Sequence, residues 1–292
     1  TVPVTYNCPV GNTGTGSGFA SVGTGAYLNQ IFWLDWSCGG PVQYPAGSTI
    51  NKSWDAGDGL IVNGQATNLS TAISSYNTGG WTGDILDNMY SGVNPIGLGA
   101  GSSIDTSFRV TYSATLNGTA VPLRYVVADA EQTDAGTENM SVTTNGSAWQ
   151  LVEKQGAIVE TISGNTASWT GGGGSSSVIL ETTGNTVQLD TSMINNGGEF
   201  FAFGIITPYD YSDAPLTGTS YASANHRTIS TFDLGAAFTT EGAAYDSLTA
   251  TGDVDDGVTL PASMTAGVPV TMTVAAPNAG YLSAWFDWND DG

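Results

Sequence analysis

The chain has 292 residues, enough for two domains of ordinary size, and carries five lysines and arginines against 26 aspartates and glutamates, a net charge of −21. So acidic a chain repels nucleic acid, whose binding is excluded, and no run approaches the roughly 18 to 20 apolar residues that a membrane helix needs. Forty glycines, only 11% charged residues and abundant Ser, Thr and Asn predict an all-β, turn-rich, secreted bacterial protein with uncharged polar faces.

The chain opens at Thr1 with no basic or apolar leader and is expected to be a mature product whose signal peptide is gone. Val2, Val4 and Tyr6 alternate around Pro3, which removes a ladder donor, so this segment is an edge strand or an arm. Cys8 and Cys38 are the two cysteines, and an extracellular compartment predicts that they pair, tying the arm to the next aromatic strand. Residues 11–25 read as loop. Asn29 to Cys38 is the densest aromatic strand, with Trp33 and Asp35 on one face and Phe32, Leu34 and Trp36 on the other.

Strands and turns alternate between Gly39 and Gly101, with Trp54 to Gly59 and Tyr76 to Gly80 as loops and Asp84 to Tyr90 as the one place for a short helix. Ser107 to Thr115 alternates strictly, placing Phe108, Val110 and Tyr112 inward and Arg109 and Thr111 outward. Leu123 to Ala128, Trp149 to Glu153, Ile158 to Ile162, Val178 to Thr182 and Phe200 to Ile206 follow as strands at sandwich spacing. The last is an apolar run that breaks at Thr207-Pro208 into Tyr, Asp and Pro, which marks a domain boundary with almost no linker. The expected architecture is all-β with little helix: two stacked antiparallel β-sandwich domains, residues 1–206 and 207–292.

Three blocks, Asn29 to Ser37, Arg124 to Glu131 and Gly198 to Pro208, resemble the non-repetitive, lectin-like domain of CshA-type bacterial surface adhesins. Four more, Asp210 to Pro215, Ser223 to Arg227, Gly252 to Gly257 and Ala284 to Gly292, resemble the GEVED domain, a β-sandwich module of large secreted bacterial proteins. The second resemblance stops at Gly292, and Asp-Trp-Asn-Asp-Asp-Gly is expected to continue into a longer motif. The resemblance implies adhesion or display at the bacterial cell surface rather than catalysis.

The residues agree with that implication. The single histidine, His226, has no nucleophile motif beside it and reads as structural, and no esterase, zinc-protease or phosphate-loop motif occurs. Asp129 and Glu131 lie two apart on one strand face, an arrangement open to a cation ligand or to a glycan-active hydrolase. Most tryptophans read as core, whereas Trp54 and Trp81 sit beside Gly and Asp in predicted loops and are the candidate stacking platforms for a sugar, with Asp55, Asp58 and Asp84 as hydrogen-bond acceptors. Solvated turn aspartates are the plain alternative.

At the C-terminus Asp287, Asn289 and Asp291 alternate before Gly292 like the opening half of a calcium loop, and Asp253, Asp255 and Asp256 form a second acidic set before Gly257. Calcium is therefore the expected cofactor. The expected function is a surface adhesin fragment that binds a glycan or a host or environmental surface protein through its first domain, with a calcium-rigidified spacer behind it. A structural subunit that polymerises with other copies of itself into a filament is the alternative, and a glycan-active hydrolase the second.

Overall fold

The computed structural model describes residues 2–11, 17–39, 43–75, 85–90, 97–101, 103–130, 133, 136–171, 176–194, 196–207, 209–211, 225–227, 257–259, 261, 263–276 and 284. The chain divides into two compact units, Thr1–Ile206 and Thr207–Gly292.

In the first unit the strands are, in order, β1 (Thr5–Asn7), β2 (Gly18–Phe19), β3 (Ile31–Trp33), β4 (Gln43–Tyr44), β5 (Thr49–Asp55), β6 (Leu60–Thr67), β7 (Ile73–Ser75), β8 (Leu98–Ala100) and β9 (Thr106–Leu116). They continue as β10 (Thr119–Val121), β11 (Leu123–Asp129), β12 (Asn139–Thr144), β13 (Gln150–Gln155), β14 (Val159–Ser163), β15 (Thr166–Thr170), β16 (Ser177–Gly184), β17 (Thr186–Ile194) and β18 (Glu199–Ile206). One short helix, α1 (Ile85–Met89), lies where the sequence allows one.

These strands form two sheets of nine each. Sheet A runs β1-β5-β6-β9-β17-β12-β15-β14 with β10 on β9, and sheet B runs β13-β16-β11-β18-β8-β7-β4 with β3 on β18 and β2 on β3. All pairings in the two sheets are antiparallel except β1 on β5, because the arm returns alongside β5 instead of turning back on a hairpin. The two sheets face each other across an aromatic layer. Trp54 and Tyr112 of sheet A meet Trp36, Tyr125 and Phe203, and Phe108 and Trp169 meet Phe201, with ring centroids 5.0 to 6.5 Å apart. Most of these pairs meet edge to face or tilted, as ring quadrupoles prefer.

Sheet B is covered on its other face too. Ile31, Trp33, Val126, Ala128, Phe200, Ala202 and Ile206 pack there with Ala20, Leu86, Met89 and Tyr90, so α1 and the stretch before β3 close a second core. This is why β18 is buried at every position, and why its sequence is an unbroken apolar run and not an alternating one. Sheet A has only its inner face buried: β9 alternates along its length, with Phe108, Val110 and Tyr112 inward and Arg109 and Thr111 outward, as its sequence predicts.

Two expectations are corrected. The aromatic stretch from Asn29 is a strand only over Ile31–Trp33; Leu34 N still donates to Phe203 O, and residues 35–37 then run beneath β5, where Trp54 Nε1 and Lys52 Nζ donate to the carbonyls of Asp35 and Ser37. The predicted loop at Trp54 begins later, since β5 continues to Asp55 and the reversal occupies residues 56–59, with Asp58 and its neighbours Gly57 and Gly59 at positive φ.

The second unit has two strand pairs among its described residues. β19 (Tyr209–Tyr211) pairs antiparallel with β20 (Asn225–Arg227), and β21 (Val258–Thr259) with β22 (Thr273–Val274).

Four buried tyrosines give the first unit a pH limit. Burial pushes Tyr44 up to about 12 and holds Tyr90, Tyr112 and Tyr125 well above the ordinary phenol value of 10.0, with the Glu153 carboxylate adding to the rise at Tyr90. Above pH 10 the unfolded chain releases these protons and the folded chain keeps them, so stability falls as pH rises from there. Lys52, whose pKa burial lowers from 10.5, runs the other way, but one lysine stands against four phenols. Melting temperature measured between about pH 8 and 12 should therefore hold level to about 10 and then drop. A level curve to the end of that range would show that these phenols ionise without unfolding the chain.

Candidate functional site

A concavity of about 470 Å³ opens on the outer face of sheet A, over β1, β5, β6 and β9. Strand alternation supplies its lining. The inward residues of β5 and β6, Ile50, Lys52 and Trp54 and then Val62, Gly64 and Ala66, are buried, which turns Asn51 and Ser53, Asn63 and Gln65 outward. Thr111 and Ser113 of β9 and Asn7 of β1 complete the polar surface. At Gly64 a Cβ would lie 2.7 Å from a ring atom of Trp54 and 3.1 Å from one of Trp36, so the bare backbone rests directly on the aromatic layer.

The side chains of this surface are ordered by one another. Gln65 Nε2 donates to Asn51 Oδ1 at 2.8 Å, Asn51 Nδ2 donates to Asn7 Oδ1 at 2.9 Å, and Ser53 Oγ donates to Asn63 Oδ1 at 2.7 Å. The ladder register explains this, because Asn7, Asn51, Gln65, Thr111 and Gln188 pair in sequence across five strands. Ser53, Asn63 and Ser113 make a second row two residues along.

The rim at β1 is tied down covalently. Cys8 and Cys38 form a disulfide, as the sequence predicts, and Cys8 N donates to Asn51 O at 2.9 Å. The arm continues along β5 to Gly11, whose carbonyl accepts from Asp55 N at 2.9 Å. Beneath the floor, Lys52 Nζ donates to Ser37 O, lies 3.8 Å from Asp35 Oδ2 and stands 5.9 Å from the Trp54 ring centroid. Asp35 is held in turn by Ser37, whose N and Oγ donate to it at 2.6 and 2.9 Å. The lysine charge is thus turned toward Ser37 and Asp35 beneath the floor.

Of the binding residues singled out from sequence, the four that are described, Trp54, Asp55, Asp58 and Asp129, do not line the groove. Trp54 is fully buried on β5, with Nε1 donating to Asp35 O at 2.8 Å, so its ring is core and not a displayed platform. Asp55 is exposed and accepts from Gly57 N at 2.9 Å, which makes it a turn residue, and Asp58 stands in the same turn. Asp129 is fully buried at the end of β11, where Thr133 Oγ1 donates to its carboxylate. Trp81, Asp84 and Glu131 lie outside the described residues, as do Asp253, Asp255, Asp256, Asp287, Asn289 and Asp291. Among the described residues no cluster of three or more potential metal ligands occurs. Which side of β6 the amides take is legible in Val62-Asn63-Gly64-Gln65-Ala66, where apolar or small residues alternate with amides, but the neighbours that complete the groove are not.

Comparison with known proteins bears on the unit that carries this groove. The family pattern described as surface adhesin CshA non-repetitive domain 2 matches residues 29–206. The chain belongs to this family. The family is one of surface adhesins, which sets this CshA-type chain among surface adhesins at the cell surface. Among the described residues no helix is long and apolar enough to cross a membrane.

Two solved structures show some likeness. The N-terminal domain of the Streptococcus gordonii adhesin Sgo0707 matches with 12% identity over 69% of this chain and a TM-score of 0.37, and the chain spans 58% of that domain's length. The family 11 xylanase from Neocallimastix patriciarum matches with 9% identity over 65% of this chain and all of its own, at a TM-score of 0.23. No curated protein matches the sequence.

The disulfide should matter for the rim as well as for the fold. Replacing Cys8 and Cys38 together by Ser reopens a 30-residue separation in the unfolded chain and should cost roughly 3 to 4 kcal/mol on the chain-entropy account. Urea unfolding reads the loss, and amide exchange should accelerate first at Asn7 and Cys8. An unchanged midpoint would mean that pairing with β5 alone holds the arm.

Proposed function

We propose that this chain is a surface-adhesion module whose first unit, residues 1–206, binds a glycan or a protein surface through the outer groove of sheet A. The observation that carries the reading is the set of mutually hydrogen-bonded, uncharged side chains at Asn7, Asn51, Ser53, Asn63 and Gln65. Side chains already ordered lose less freedom when a ligand arrives, which is the usual route to useful affinity on an open surface. The described lining residues include no pair of carboxylates of the kind that glycoside hydrolysis ordinarily uses. The N-terminal arm, whose apolar face could otherwise add to the sheet of another copy, is engaged within its own sheet by β5 and the disulfide, which favours binding over polymerisation.

Residues 207–292 fit a GEVED-like spacer by the blocks Asp210 to Pro215, Ser223 to Arg227, Gly252 to Gly257 and Ala284 to Gly292. Their acidic sets Asp253, Asp255 and Asp256 and Asp287, Asn289 and Asp291 are proposed calcium ligands, because closely spaced carboxylates repel until a hard cation neutralises them.

Two measurements test these readings. The chain coated on beads should adhere to bacterial or host-cell surfaces, and Asn51→Ala with Gln65→Ala should reduce adhesion several-fold while the melting temperature stays within a few degrees. Equal adhesion by the double variant would move the binding surface elsewhere. Separately, roughly 1 mM calcium should raise the melting temperature of the second unit and chelator should reverse the gain, as mass action requires. Indifference to both would leave these aspartates as surface charge.

A further inference from the structure

All four cations of residues 1–206 are engaged internally. Lys52 is beneath the groove with Asp35, Arg109 Nε and Nη2 donate to the two carboxylate oxygens of Asp190 at 2.6 and 3.0 Å, Arg124 pairs with Glu181 at 2.7 Å, and Lys154 pairs with Glu160 at 2.7 Å. Capturing an anionic ligand would require breaking one of these pairs, and the chain's net charge of −21 opposes the approach of any polyanion. The Arg109 and Asp190 pair is the one charged feature that β9 and β17 turn outward within their ladder, and it is neutral as a pair.

The groove itself is neutral and lacks an aromatic platform. Trp54 and Tyr112 lie under the sheet with their rings in the inter-sheet layer, so stacking, the commonest way to hold a sugar ring, is not offered there. What is offered is a row of amides crossing the strands. The chain of donation from Gln65 through Asn51 to Asn7 uses the amide nitrogens of the first two and the amide oxygens of the last two. Among the described residues Gln65 Oε1 at one end and Asn7 Nδ2 at the other have no partner, which leaves a ligand an acceptor and a donor two strand spacings, or about 10 Å, apart. The second row, Ser53, Asn63 and Ser113, runs beside the first and adds hydroxyls that both donate and accept. A surface of alternating donors and acceptors without charge complements a chain of hydroxyl groups.

We propose that this groove takes a neutral, hydroxyl-rich polysaccharide laid across β1, β5, β6 and β9, read by Asn7, Asn51, Asn63 and Gln65 through hydrogen bonds. The inference rests on the adhesion reading above and narrows it to one ligand class. Its recognition is insensitive to salt, because no ion pair with the ligand is involved.

Affinity electrophoresis of the whole chain through gels containing dextran, mannan or a soluble β-glucan, against gels containing alginate, hyaluronan or heparin, separates the outcomes. The expected result is retardation by at least one neutral polymer, changing less than about twofold between roughly 50 and 500 mM salt, and none by the acidic polymers. Asn51→Ala and Gln65→Ala should each weaken retardation about tenfold, equivalent to about 1.4 kcal/mol, whereas Thr143→Ala, on the same face beyond the groove, should leave it unchanged. Asn51→Asp keeps the side-chain shape and replaces the amide donor with an acceptor, so it should also weaken binding even where an alanine variant folds poorly.

Retardation by an acidic polymer, with strong salt dependence, overturns the proposal. So does neutral binding that survives both groove substitutions. Adhesion to cell surfaces or peptides without retardation by any polysaccharide overturns the ligand class and leaves the adhesion reading standing. A chain that adheres to no surface at all removes both.

Discussion

The first unit is organised by the double burial of β18. A strand covered on both faces must be apolar at consecutive positions, and Phe200 to Ile206 meets that demand with Phe201 and Phe203 toward sheet A and Phe200, Ala202 and Ile206 toward α1. Sheet B thereby becomes the middle layer. Neither of its faces around β18 is left for a ligand, and the free face of the unit is the outer side of sheet A. The location of the groove follows from which sheet is sandwiched and which is not.

That outer face can be polar and uncharged because the inner face carries the hydrophobic burden in large rings. Trp54, Trp36 and Tyr112 fill the space under β5, β6 and β9, and Gly64 lets the backbone settle on them. Trp36 Nε1 donates to Tyr112 Oη at 3.1 Å and Trp54 Nε1 to Asp35 O at 2.8 Å, so two of the buried polar atoms in this layer are satisfied. The buried Lys52 and Asp35 belong to the same construction. An ion pair there is weak evidence of net stability, but removing either partner strands the other charge in a place water scarcely reaches. Its role is to fasten residues 35–37 under β5, and the disulfide at Cys38 then carries that anchorage to the arm.

A surface adhesin that spends its cations inside its own fold differs from one that collects acidic glycans by charge. Each arginine and lysine of the first unit meets an acid across neighbouring strands or segments, and the more exposed pairs, those of Arg109, Arg124 and Lys154, contribute little to stability, on the order of 0 to 1 kcal/mol each. Their larger consequence is on recognition. With positive charge neutralised at home, what the outer face of sheet A presents is the direction of its side-chain hydrogen bonds, and those directions are set by strand register.

Much of this was legible in the residues. Alternation from Ser107 to Thr115 gave β9 and its inward face, the apolar run at Phe200 marked a fully buried strand, the one stretch open to a short helix contains α1 at Ile85–Met89, and two cysteines in a secreted-type composition gave the disulfide. These features are local, since period and composition are properties of neighbouring residues. Trp54 beside Asp and Gly resembled a loop residue for the same reason: local composition near a hairpin turn does not reveal how far the strand continues before it. The groove was not legible, because Asn7, Asn51, Gln65 and Thr111 are brought into one row by a parallel pairing and two antiparallel ones. Periodicity tells which side of its own strand each amide faces. Which strands become neighbours, and in what register, is decided by packing over the whole unit, and only there do four polar residues scattered over a hundred positions become one surface.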